Sequence, residues 1–124
     1  KYMKTAIDII SLETIVYIDD TAAVKSSDIL MINSDRGYTE IELVSGSKKT
    51  GIRKSLKAWE EELGQYGFMR INDSCLINCG YVRAIEGNFA IVRNTGVKLK
   101  ISRRRKAECA GFFRDYSIKS SRYI

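Results

Sequence analysis

The sequence predicts one mostly-β domain of short antiparallel strands with one or two helices packed on it. Three observations carry this. Runs of four to seven residues rich in β-branched and aromatic types recur along the chain. Clusters of Asp, Gly and Ser interrupt them at short intervals. Only two interior stretches have the spacing of a helix. A length of 124 residues with 44% hydrophobic and 29% charged side chains fits a single globular core rather than a disordered tail.

Residues 1–13, with Ile7, Ile10 and Leu12 apolar, read as a weakly helical linker or N-terminal extension. The chain opens on Lys1 rather than Met, so a longer parent protein is expected. No apolar run approaches the roughly 18 residues a membrane span needs, and the first residues lack the pattern of a signal peptide. A cytoplasmic location is therefore expected. The domain itself is expected over 14–116, with a polar tail over 117–124.

Strands are expected at TIVYID (14–19), AAVK (22–25), DILMIN (28–33) and YTEIELV (38–44). The last alternates cleanly, with Tyr38, Glu40 and Glu42 on one face and Thr39, Ile41 and Leu43 on the other. SDRG (34–37) and SGSKKTG (45–51) read as turns. A helix follows: Ser55 is a good N-cap, Leu56, Trp59 and Leu63 share one face, and Gly64 stands near its end. Further strands are expected at FMRI (68–71), SCLINC (74–79), YVRAIEG (81–87), FAIVRN (89–94) and VKLKIS (97–102), with NTG (94–96) as a hairpin-like turn. A basic helix over about 103–116 closes the domain.

Composition argues against an enzyme. With no histidine, the usual general base of Ser-His-Asp and Cys-His chemistry is missing. GSKKTG lacks P-loop spacing, and Glu60, Glu61 and Glu62 lie late in their helix and read as solvated surface rather than paired catalytic carboxylates. Cys75, Cys79 and Cys109 are odd in number and have no histidine to complete a zinc set, so they read as small buried apolar residues. No cofactor or metal is expected.

Charge is the most informative feature. Lys98, Lys100, Arg103, Arg104, Arg105, Lys106 and Arg114 face one acid, Glu108, within a single segment that accounts for the whole formal excess of +6. A solvated helix is the plain reading of such a run. Against it, Ser102 as N-cap would put four cations in the first helical turn, where the dipole disfavours positive charge by roughly 0.3–1 kcal/mol each. Cations held there suit an anionic partner, and phosphate in particular, because the helix terminus also offers free N–H groups. An acidic protein partner docking on this helix is the alternative. Single-stranded nucleic acid is a third reading, which would need Phe112 and Phe113 exposed as stacking platforms.

Four segments in order, DILMINSDRGYTEIEL, IRKSLKAWEEEL, GFMRINDSCLINCGYVRAIEGN and VKLKISRRRK, resemble the LytTR DNA-binding domain over about residues 24–110. The resemblance rests on Ser55-Leu56-Lys57 with Trp59 to Leu63, Phe68-Met69-Arg70-Ile71 with Ser74, Leu76, Ile77 and Asn78, then Val82 and Ile85, and finally Ser102-Arg103-Arg104. It implies an elongated fold of about ten strands in small antiparallel sheets with little helix. It also implies sequence-specific binding of double-stranded DNA through loops that enter successive major grooves. Members typically form the output domain of a two-component response regulator in bacteria, behind a receiver domain, and bind promoter direct repeats as a pair. Carried over by position, Arg36, Gly37, Tyr38 and Thr39, then Asn72, Asp73 and Ser74, then Ser102, Arg103, Arg104 and Arg105 would face DNA. Arg104 suits bidentate readout of guanine and Asn72 suits adenine or phosphate, while Arg103, Arg105 and Lys106 suit phosphate. The family's common histidine is Asn72 here, and its usual basic or amide neighbour is Asp73. That carboxylate repels phosphate but can accept from a cytosine amine. An Asx turn is the competing role for Asn72-Asp73-Ser74, and cross-strand packing for Tyr38.

Overall fold

A computed structural model of the chain describes residues 13–122; the expected linker helix lies almost wholly outside them. The described residues form ten strands in three antiparallel sheets with two α-helices. The strands are β1 (Ile15–Asp19), β2 (Ala22–Lys25), β3 (Ile29–Asp35), β4 (Tyr38–Leu43), β5 (Lys48–Ile52), β6 (Phe68–Asn72), β7 (Cys75–Asn78), β8 (Val82–Glu86), β9 (Phe89–Val92) and β10 (Lys98–Lys100). The helices are α1 (Leu56–Leu63) and α2 (Lys106–Arg122). A β1–β2 hairpin stands alone, β10-β9-β8 make a small sheet, and β5-β4-β3-β7-β6 make the central one.

β6 and β7 run through the middle of the core, and their side chains separate it into two clusters. Phe68 and Leu76 join Ile29, Ile32, Ile41, Trp59 and Leu63 under α1. Met69, Ile71, Cys75 and Ile77 join Val82, Ala90, Ile101 and Cys109 beneath β8–β10 and α2. All four residues of β7 are buried, which is why SCLINC shows no alternation: a strand covered on both faces has no polar side. Each large side chain buried here contributes about 1.5–3 kcal/mol.

The Ser55 cap is as expected, its Oγ accepting from Ala58 N at 3.0 Å. α2 docks against the turn after α1 at Gly67, whose φ of +89° and proximity to the Tyr116 ring leave no room for a Cβ. Two boundaries differ from the sequence reading. SGSKKTG is not simply a turn, because Lys48–Ile52 pairs with β4 as an edge strand (Ile41↔Lys49, Glu42↔Lys48). Pairing overrides its poor strand propensity, and its lysines suit an edge that must not recruit another strand. α2 runs on to Arg122, past the expected end near 116. No helix among the described residues is long and apolar enough to cross a membrane.

Candidate nucleic-acid interface

Two hairpin turns project from the same end of the central sheet. In β3–β4, Asp35 pairs with Tyr38, leaving Arg36-Gly37 as a two-residue turn. Both have positive φ, +50° and +87°, as a type I′ turn requires. In β6–β7, Asn72 pairs with Cys75 around Asp73-Ser74. β3 lies beside β7, and Ser34 N donates to Ser74 O at 2.9 Å, so the two turns are adjacent.

The basic segment is joined to the second turn. Ser102 N donates to Ile71 O at 2.8 Å, and Asn72 Nδ2 donates to Lys100 O at 2.8 Å. Asn72 Oδ1 accepts from Ser74 N at 2.8 Å, so the Asx turn is real and both ends of this amide are engaged. Arg104 Nη2 donates to Asp73 Oδ1 at 2.8 Å. Three segments far apart in sequence thus meet along one rim.

Arg70, a motif residue given no site role from the sequence, holds this arrangement. Its Nε donates to Asn72 O at 2.8 Å and its Nη2 to Asp73 O at 3.0 Å, while Nη1 reaches Glu60 of α1 at 3.1 Å. One guanidinium therefore ties the β6–β7 turn to the helix that fills the core. Arg70 stands two and three residues before these carbonyls, so its guanidinium reaches forward onto the turn, a contact that no spacing rule in the sequence reports.

The expected site residues separate into exposed and committed ones. Arg36, Tyr38, Asp73, Ser74, Arg103, Arg104 and Lys106 are exposed. Thr39 is not: it is 1% exposed, its Oγ1 donating to Lys54 O at 2.8 Å and accepting from Trp59 Nε1 at 2.9 Å. Its expected place at the interface is corrected by the strand's own alternation, which turns it inward under α1. The Arg105 side chain is 17% exposed and approaches Glu108 at 3.7 Å. Ser102 has N-cap backbone geometry, but its hydroxyl makes no capping bond, and Arg103–Arg105 form a 3-10 turn before α2 begins at Lys106. Only Lys106 of the four cations thus enters the α-helix itself. Arg53, which the sequence reading passed over, shares an open cleft with Arg36, Gly37 and Tyr38.

The remaining chemistry is quiet. All three cysteines are buried and unpaired with one another. Burial pushes the Cys75 and Cys79 thiols up to about 12 and Cys109 to about 11, so none is a thiolate at neutral pH. Phe112 and Phe113 pack against the second core cluster, which removes them as a stacking platform.

The family model described as the LytTr DNA-binding domain matches residues 9–113. Among solved structures, the chain is similar to the LytTr DNA-binding domain of a protein described as a methyl-accepting/DNA response regulator from Bacillus cereus. That likeness has a TM-score of 0.58 at 17% identity, over 83% of this chain and 94% of that one, and is one of fold. No curated protein matches the chain.

Proposed function

The chain belongs to the LytTR family of DNA-binding domains, and on that premise we propose that it reads duplex DNA with the rim where the β3–β4 turn, the β6–β7 turn and Ser102–Lys106 meet. The observation that carries this reading is the pair of bonds, Ser34 N to Ser74 O and Asn72 Nδ2 to Lys100 O, that gathers separate basic segments into one edge. Arg104 reads guanine in the major groove; Arg36, Arg53, Arg103 and Lys106 hold phosphates; Asn72 and Arg70 set the height of the turn. Arg105, half withdrawn, supports the segment and adds to its field.

In this reading the domain is the output module of a bacterial two-component response regulator. It acts in the cytoplasm and binds promoter direct repeats as a pair. Family membership supports DNA binding over catalysis.

Fluorescence anisotropy against promoter fragments of the source genome, repeated across a salt series, tests it. Log affinity should fall with log salt at about −0.9 per phosphate contact. Lys106→Ala should weaken all duplexes alike and flatten that slope by about one. Binding indifferent to salt would overturn the reading.

A further inference from the structure

Asp73 is an odd residue for a surface that meets a polyanion, and its geometry suggests why it is there. Its carboxylate accepts from Arg104 at 2.8 Å, yet both side chains are largely exposed, at 79% and 70%. An ion pair so wet contributes at most about 1 kcal/mol to folding, so stability does not explain it.

The backbones beneath the pair are fixed on both sides. Arg70 holds Asp73 O, Asn72 braces Ser74 N and Lys100 O, and Ser102 N is bonded to Ile71 O. The offset between the two backbone positions from which these side chains project is therefore set by the fold. Arg104 spends one of its five N–H donors on Asp73 and keeps the rest. Asp73 Oδ2 has no partner among the described residues.

The result is a row of donors beside a free acceptor. In the major groove guanine offers two acceptors, N7 and O6, while cytosine and adenine each offer an exocyclic amine. Resting on the DNA-binding reading above, we infer that Asp73 and Arg104 act as one coupled reader. Arg104 takes a guanine, and Asp73 both locks the guanidinium in plane and accepts from the amine of a cytosine or adenine beside it. The carboxylate weakens attraction to phosphate generally and returns that loss only on the matching step, which is how a like-charge element produces specificity.

The test uses the 124-residue chain and a library of duplexes with a randomised centre. Selected sequences are compared for the unaltered chain, Asp73→Asn, Arg104→Ala and the double variant, with thermal melts alongside. The unaltered chain should enrich a guanine whose neighbour on the same strand is adenine or cytosine over one followed by guanine or thymine. Asp73→Asn should bind random duplex more tightly while losing about tenfold in discrimination at that neighbouring base, in line with one lost base contact. Arg104→Ala should lose the guanine preference and the neighbouring one together, and adding Asp73→Asn to it should change discrimination no further. Melting temperatures should agree across the set, since both side chains are exposed.

Equal tightening on every sequence by Asp73→Asn, with discrimination intact, would overturn the coupled reader and leave DNA binding standing. So would independent, additive losses. Failure of the unaltered chain to enrich any sequence would instead overturn the DNA-reading proposal, and the pair with it.

Discussion

At one end of the central sheet the β6–β7 turn and the β3–β4 turn stand side by side, yet they are held very differently. Around Asp73-Ser74 nearly every polar group of the backbone is tied down, by Arg70, by Asn72 and by the neighbouring strand. Around Arg36-Gly37 the turn geometry alone sets the shape, and the Arg36 side chain has no hydrogen-bond or ion-pair partner among the described residues. Base edges are read by donors placed to within a fraction of an ångström, whereas a phosphate accepts a cation from many directions. On the proposed DNA-binding reading, discrimination would fall to the β6–β7 turn and affinity to the β3–β4 turn.

Arg70→Met is the largest expected break in that contrast. It keeps most of the side chain's volume but frees two turn carbonyls and leaves the Glu60 carboxylate, 32% exposed, without its partner. Urea unfolding should show a loss of about 2–3 kcal/mol, the range for removing one partner of a mostly buried, charge-assisted network. Among folded molecules, base preference should collapse while the salt slope persists. A variant that loses stability but ranks duplexes as before would show that turn rigidity has no part in reading.

Thr39→Val sharpens the comparison from beneath the second turn. The substitution removes the hydroxyl that bridges Trp59 Nε1 and Lys54 O, stranding a buried donor and a carbonyl. A cost of about 1–3 kcal/mol is expected from unmet hydrogen bonds of this kind. DNA affinity per folded molecule should not move. Weakened binding at unchanged stability would return Thr39 to the interface from which its burial removes it.

These cases also mark what was legible in the residues. Alternation in YTEIELV puts Thr39 on the face of Ile41 and Leu43, yet positional likeness to a family loop puts it at the DNA. Local periodicity was the better guide there, because it answers to burial. Ser55 and the Leu56-Trp59-Leu63 face were readable because capping and helical spacing are local. β5 was not, since KKTGI has no intrinsic strand preference and exists through its pairing with β4. The rim itself was half visible: its charge stood out in composition, while the Arg70 clamp binds side chain to turn carbonyl and the Asp73–Arg104 pair joins residues 31 apart, which no spacing rule reports.

The smallest and most diagnostic effect is expected at Arg36. Its φ of +50° lies in the left-handed region, where a long side chain is disfavoured and where type I′ turns prefer Asn before Gly. Arg36→Asn should therefore raise stability by up to about 1–2 kcal/mol, the scale of the left-handed penalty that Asn relieves in part. At the same time it should weaken every duplex alike and reduce the salt slope by about one, the loss of one phosphate contact. A residue whose removal improves the fold and harms binding is retained for the partner, and paired melts and salt titrations would expose both effects in one variant. If Arg36→Asn reordered the preferred sequences, the looser turn would also be reading bases, and the division between the two turns would fail.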